Sequence, residues 1–313
     1  MSDRPMGTVH TLILREGLER ARAMAETPAQ RQAIDAAAAV MAEEKTGLGI
    51  THAGFALTSL PHKRIEEPVW ERQGHFTTLL VESGRDRQKA LVGVPYGSIA
   101  RLILLYLQTE AIRTGSPEVE LGKSMKNWMV RMSLTPGGKT YTLVNEQARR
   151  ISACRLTFFT DRAGAEMRQN GAFVQTAISM SGMTNEAQPT LWQDKVRLDD
   201  GFWRSLREHP VPVREEAIRA IGTRSLAIDV YVWLAYRLHS LGKTTTISWP
   251  AVHSQFGAGF QFVRHLKPVF TDALNMALAV YPEARVDVER DGIVLYPSAP
   301  AVPRAEARRL GIS

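Results

Sequence analysis

Residues 245–296 read TTISWPAVHSQFGAGFQFVRHLKPVFTDALNMALAVYPEARVDVERDGIVLY. Thr245 to Ser248 is a short β-branched run and predicts a strand. Pro250 opens a short helix, since a first helical turn has no use for the amide that proline lacks, and Phe256-Gly257 closes it. From about Phe260 to Tyr281, Val263, Leu266, Phe270 and Ala277 fall on one helical face, with a kink expected at Pro268. Arg285 to Glu289 and Ile293 to Tyr296 then flank Asp291-Gly292, where positive φ would suit a tight hairpin turn. Upstream, a helix beginning at Leu226 carries Val230, Trp233, Leu234, Leu238 and Leu241 on one face, with Gly242 expected as its left-handed C′ residue. Helix, strand, two helices and a hairpin in this order predict a winged helix.

The same order is legible further upstream. Gly97 to Arg113 shows Ile99, Leu102, Ile103 and Tyr106 on one stripe. Val119 to Leu121 reads as strand and the stretch through Lys126, Trp128, Met129 and Met132 as helix. Pro136-Gly137-Gly138 breaks the chain, and a third helix runs from about Tyr141 to Ala153 with Val144, Ala148 and Ile151 inward. Arg155 to Phe159 reads as a strand, with residues 172–178 as its return partner. A further hairpin, Thr77 to Glu82 against Lys89 to Val94, is expected to join this first module. Residues from Thr8 to about Glu44 read as two helices, the second Ala-rich. The expected fold is therefore helix-rich α+β, with two tandem winged-helix domains. The expected domains are an N-terminal helical region at 1–60, winged helices at 61–185 and 186–300, and a basic tail at 301–313. The break is placed in the polar stretch Thr184 to Pro189.

Composition narrows the function. The 313 residues carry a formal charge of +7. Residues 92–181 hold eleven Lys and Arg against six Asp and Glu, whereas residues 190–300 hold thirteen against twelve. The excess thus falls on the first module, as expected of a surface that meets phosphate. No apolar run approaches the ~20 residues of a membrane span, and the first residues lack a signal-peptide pattern, so a cytoplasmic protein is expected. Cys154, the single cysteine, allows no internal disulfide and reads as a buried thiol. The histidines show no metal-ligand spacing.

Gly122-Lys123-Ser124, Gly138-Lys139-Thr140 and Gly242-Lys243-Thr244 invite a nucleotide-binding reading. A phosphate-cradling loop needs a further glycine five residues earlier, and those positions hold Pro117, Ser133 and Arg237. Asp199-Asp200 and Glu215-Glu216 stand where helices begin and are explained by capping and by the helix dipole. With no triad or paired-acid constellation, neither an enzyme nor a cofactor is expected.

In a winged helix, the third helix lies in the major groove. On the first such helix Thr142, Asn145 and Arg149 face outward. Asn145 and Arg149 are the candidate base readers, because Asn pairs bidentately with adenine and Arg with guanine. Lys126, Lys139 and Arg150 are placed for phosphate. On the second, Gln261, Arg264, His265 and Lys267 cluster at the helix start, with Gln261 and Arg264 as possible readers.

The stretches THAGFALTSLPHKRIEEPVWERQGH, VGVPYGSIARLILLYLQTEAIRTG, NEQARRISACRLTFFTDR, PTLWQDKVRLDDGFWRSLREHPVPVREEAI, IDVYVWLAYRLHSL and YPEARVDV resemble bacterial plasmid replication initiators of the RepA type, across about Thr51 to Arg309. The resemblance implies binding of double-stranded DNA repeats (iterons) at a plasmid origin, local opening of that DNA and recruitment of host replication proteins such as a helicase or initiator. It also implies monomers at the origin and homodimers as autorepressors. It supplies no contact residues, so those above rest on helix geometry. A transcriptional regulator of the same fold is the alternative, and a nicking or nucleotide-hydrolysing enzyme a third reading.

Overall fold

The computed structural model describes residues 8–43, 47–74, 76–120, 129–130, 134–135, 137–162, 165–178 and 195–309. The chain forms two compact units: a terminal unit of Met1–Gly49, Phe55–Leu57 and Val211–Ser313, and a middle unit of Ile50–Gly54 and Thr58–Pro210. Helices and sheets are mixed in both.

The middle unit is organised by α5 (Gly97–Thr114), which ends on Gly115 in the left-handed region at φ 67°. A single apolar stripe is expected here, but Ala100 to Ala111 are buried on every side. The reason is the segment 50–61, whose backbone takes up the polar side chains of the helix. Arg101 donates to the carbonyls of Leu60 (2.7 Å) and Pro61 (3.2 Å), Gln108 accepts from the His52 amide at 2.7 Å, and Thr109 accepts from the Ile50 amide at 2.8 Å. A helix can be buried all round only when its polar groups are satisfied in this way.

The described residues of this unit also form two sheets of three or more strands. In the first, β2 (Val69–Gln73), β3 (Thr77–Glu82), β5 (Arg155–Arg162) and β6 (Ala165–Ala172) lie in the order β2-β3-β5-β6, all antiparallel. Leu79 and Val81 of β3 stand opposite Phe158 and Leu156 of β5, and all four are buried. Period-2 burial makes Thr77 to Glu82 legible as a strand. Its partner, however, is β2 rather than Lys89 to Val94, of which only Leu91 forms a bridge, to Arg85.

The second sheet is β4 (Glu118–Glu120), β8 (Lys195–Leu198) and β7 (Val174–Ile178), in the order β4-β8-β7. Of residues 172–178, expected as the return partner of β5, only Ala172 therefore pairs with it, opposite Arg155. That partner is β6, and the β5–β6 hairpin stands between α6 (Gly138–Ala153) and β7. Strand β8, expected in the second domain, closes the sheet of the first. The boundary expected at 184–189 lies outside the described residues, and the chain leaves the middle unit at 210/211. Between β8 and that crossing lies α7 (Asp200–Glu208), capped as expected: Asp199 accepts from the amides of Gly201 (2.9 Å) and Phe202 (3.1 Å). The chain crosses between the units in β1 (Leu48–His52), in and just after α4 (Ala53–Leu57), and in β9 (Pro210–Arg214). His52 is enclosed by Phe158, Phe202 and Ser205, with Nε2 at 2.8 Å from the Ser205 hydroxyl. Burial, aided by His209, pulls its pKa down to about 3. Cys154 is a buried thiol, pushed up to about 12 by that burial.

The terminal unit follows the expected order closely. It contains α9 (Ser225–Arg237), β10 (Thr245–Ser248), α10 (Trp249–Phe256), α11 (Val263–Ala279), β11 (Val286–Val288) and β12 (Gly292–Leu295). The strands are ordered β10-β12-β11 and antiparallel. Trp249, Phe256 and Phe270 form one aromatic cluster, and Trp233 joins it through Phe256. Helix α11 runs unbroken through Pro268. Two glycine roles differ from expectation. Gly242 is not left-handed, because a 3-10 turn at Leu238–Ser240 already ends α9. Gly292 is needed for proximity rather than for φ: a Cβ there would lie 2.1 Å from the Ile247 carbonyl oxygen on β10.

Residues 8–42, expected as two helices, form three, α1 (Thr8–Glu16), α2 (Leu18–Ala23) and α3 (Pro28–Ala42), which belong to the terminal unit. Thr27 and Gln30 make a capping box at the start of α3. The helix buries Ala33, Ile34, Ala37 and Val40, and it lies against α11 and α8 (Glu215–Ile221). His10 of α1 meets the Ala279 carbonyl at 2.8 Å. The basic tail is docked too: α12 (Arg304–Arg309) follows Ala301 and Val302, both buried, and Arg214 donates to the Ala301 carbonyl at 2.6 Å. Among the described residues, no helix is long and apolar enough to cross a membrane.

Candidate nucleic-acid interface

Helix α6 buries Val144, Gln147, Arg150 and Ile151. Lys139 and Thr142 are exposed, Asn145 is partly so, and the Arg149 side chain is 51% exposed. Four of the expected contact residues therefore share the open side of one helix. Thr142 turns its hydroxyl back to the Gly138 carbonyl at 3.0 Å, which leaves the oxygen as an acceptor. Arg149 Nη2 lies 2.9 Å from Asp86 Oδ2, in the loop between β3 and α5. Lys126 lies outside the described residues.

Arg150 is not a surface cation, contrary to expectation. Its side chain is only 6% exposed; Nη2 meets Glu146 at 2.9 Å, Nη1 donates to the Val94 carbonyl at 3.0 Å, and the guanidinium stacks over Tyr96. Residues 92–96 cover this flank of the helix and widen its buried stripe beyond Val144 and Ile151, while Ala148, expected inward with them, is half-buried. Gln147 marks the same flank, accepting from the Tyr96 amide at 2.8 Å. A Gln and an Arg three residues apart beside the apolar stripe were the available signal.

In the terminal unit Gln261, Arg264 and His265 are exposed around the start of α11. Arg264 lies 4.3 Å from the Phe262 ring centroid, and its Nε is 3.4 Å from His265 Nε2. Lys267 is partly buried. Its Nζ donates to the Arg290 carbonyl at 3.2 Å and sits 4.8 Å from the Trp249 ring centre, so the ammonium holds the β11–β12 turn to the helix. Trp249 holds the same turn, donating through Nε1 to the Glu289 carbonyl at 3.2 Å.

The loop ahead of α5 is predicted from the sequence as no more than a hairpin turn. It exposes Arg85, Arg87 and Lys89, and Asp86 brings it to Arg149. Counted by units, the middle one carries 21 Lys and Arg against 16 Asp and Glu, and the terminal one 18 against 16. Positive charge remains concentrated where α6 stands.

These features define a mixed helix-and-sheet protein with two modules of one strand order, the more basic unit presenting a polar helix face. The chain belongs to a plasmid replication initiator family: the family model described as "Plasmid encoded RepA protein" matches residues 94–251. That match spans α5, α6, strands β5 and β6 of the first middle sheet, the whole of the second, and the start of the terminal module. No curated protein matches the chain. Among solved structures, a selenomethionine derivative of domain 2 and domain 3 of RctB is similar at 9% identity, covering 71% of this chain and 81% of that one, with a TM-score of 0.47. A second structure of RctB domains 2–3 is similar at 9% identity, covering 77% and 93%, with a TM-score of 0.45.

Proposed function

We propose that this protein initiates plasmid replication as a sequence-specific binder of double-stranded origin DNA, with α6 as the principal reader, and that it acts without catalysis of its own. The observation that carries the reading is the open face of α6 with Lys139, Thr142, Asn145 and Arg149, on the more basic unit of a chain that belongs to the RepA family. With the β5–β6 hairpin of the middle unit set aside, α5, β4, α6, β7 and β8 follow the order of α9, β10, α11, β11 and β12, with the last strand in the middle of the sheet in each. This order supports a winged-helix reading, in which the helix before the hairpin enters the major groove. Here those helices are α6 and α11. Two such modules reading successive segments of one direct repeat lengthen the site, and deformation by both lowers the cost of opening neighbouring DNA. Recruitment of a host helicase or initiator and the balance between monomer and homodimer belong to the same reading, as does a cytoplasmic location.

Footprinting on DNA flanking the gene, at several salt concentrations, tests it. Protection of direct repeats, with origin activity when that DNA is supplied on a vector, is the expected result. Equal affinity for that DNA and for random duplex overturns origin recognition, and a single protected palindrome at a promoter points instead to a regulator.

A further inference from the structure

Residues 83–93 do more than connect β3 to α5. Asp86 closes the loop on itself: its Oδ1 accepts from the amides of Gln88 (3.0 Å) and Ala90 (2.9 Å), and its own amide donates to the Ala90 carbonyl at 2.9 Å. Arg85 donates to the Lys89 carbonyl at 2.6 Å, and Lys89 is held at φ 63°, a region that side chains other than Asn, Asp and Gly seldom enter. The base of the loop is fitted against the last turns of α6. A Cβ on Gly84 would lie 2.0 Å from the Ala153 carbonyl oxygen, and one on Gly93, at φ 93°, would lie 2.0 Å from Arg150 Nη1. The second oxygen of Asp86 reaches Arg149. One carboxylate therefore shapes the loop and holds a guanidinium of the candidate reading helix.

We infer that Asp86 is a positioning residue for base recognition by Arg149, and that the loop it closes is a phosphate-contact element mounted on α6, with Arg87 and Lys89 facing the DNA backbone. The inference rests on the DNA-binding reading above. The chemistry is that of a buttressed arginine. A guanidinium has five donors, and Asp86 engages one through Nη2. Whichever Nη2 hydrogen is engaged, one two-hydrogen fork, end-on through Nη1 and Nη2 or side-on through Nε and Nη2, is left to match O6 and N7 of guanine. Fixing that fork beforehand reduces the freedom lost on binding and makes misaligned contacts with other bases harder to form. The spacing also fits. Lys139 and Arg149 are ten residues apart, about 15 Å along a helix, close to the ~12 Å width of the major groove. Cations at the start of α6 and in the loop at its far end can then meet the two opposite phosphate strands.

The test uses the full chain, the DNA fragment flanking the gene that it protects, and a random duplex of equal length. Asp86→Asn keeps an oxygen for the Gln88 and Ala90 amides but removes the charge that holds Arg149, so loop shape and arginine placement are separated. Its ratio of specific to random affinity is expected to fall about tenfold, toward that of Arg149→Ala. Adding Asp86→Asn to Arg149→Ala should bring no further loss. The pair Arg87→Gln and Lys89→Asn, the latter chosen because Asn tolerates positive φ, should weaken both duplexes alike and flatten the salt dependence by about two units. Unchanged discrimination in Asp86→Asn, or losses that add in the double variant, overturns the positioning role. An unchanged salt slope overturns the phosphate role. A wild-type chain that does not distinguish the two duplexes overturns the DNA-binding reading itself, an outcome distinct from the other two.

Discussion

On α6, Lys139 and Thr142 face solvent and half of the Arg149 side chain is open. On α11, Lys267 is spent on the Arg290 carbonyl and the Trp249 ring, and Arg264 lies over Phe262. The turn beside α11, Glu289 to Asp291, carries two acids and one Arg, whereas the loop beside α6 exposes Arg85, Arg87 and Lys89. The two modules share a strand order, and each uses a cation in its own packing, Arg150 in one and Lys267 in the other; the first has Lys139, Arg87 and Lys89 exposed besides. Topology alone therefore does not assign a task to a module. The side chains left over after packing do.

The hardest blow to this comparison is Phe270→Ala, which removes a fully buried ring touching Trp249 and Phe256. It should cost about 3–5 kcal/mol in denaturant unfolding of the terminal unit. Specific DNA binding that persists while only that unit is weakened would confirm α6 as the anchor; loss of all binding with the middle unit still folded would reverse the ranking.

Acid offers the next test, because His52 belongs to the middle unit. Its folded pKa of about 3 lies below the ordinary 6.5, chiefly through burial. Below pH 6.5 the unfolded chain takes up a proton that the folded chain refuses, so stability is lost as pH falls from 6.5 toward 3. The loss should reach about 2 kcal/mol at pH 5, and His52→Gln should flatten that slope in urea titrations. An unchanged slope would mean that other groups govern acid unfolding.

On DNA, Arg149→Ala should lose about 1–3 kcal/mol of discrimination in competition binding, and Arg264→Ala less than that. Equal losses would make the modules equivalent readers. The smallest effect separates two lysines. Lys139→Ala should weaken all sequences alike and reduce the salt slope by about one unit, while Lys267→Ala, already engaged within the protein, should leave the slope unchanged.

The terminal module was legible almost residue by residue, because its helix faces are apolar at regular spacing and its strands follow directly in sequence. The middle one was legible as elements but not as pairings. Strand β3 shows clean alternation, yet nothing in Thr77 to Glu82 says whether its neighbour lies before it, in β2, or after it. The inserted β5–β6 hairpin likewise displaced β7 and β8 to a sheet that local patterns cannot announce. Of the contact residues, the outward face of α6 follows from helical geometry. Arg150 failed because the segment covering it, residues 92–96, arrives from outside the helix, and the pairing of Asp86 with Arg149 spans 63 residues.

The packing of α3 on α11 has a consequence in time. Roughly 220 residues separate the end of α3 from the start of α11, so at about 5–20 residues per second the Ala33, Ile34 and Val40 face leaves the ribosome some 10–45 s before its cover is made. Until then the face is covered only in part, by α1 and α2 and later by α8, while the middle unit has all its residues once Pro210 is made. Folding during synthesis therefore completes in the middle unit first, with the earliest helices made among the last to find their place.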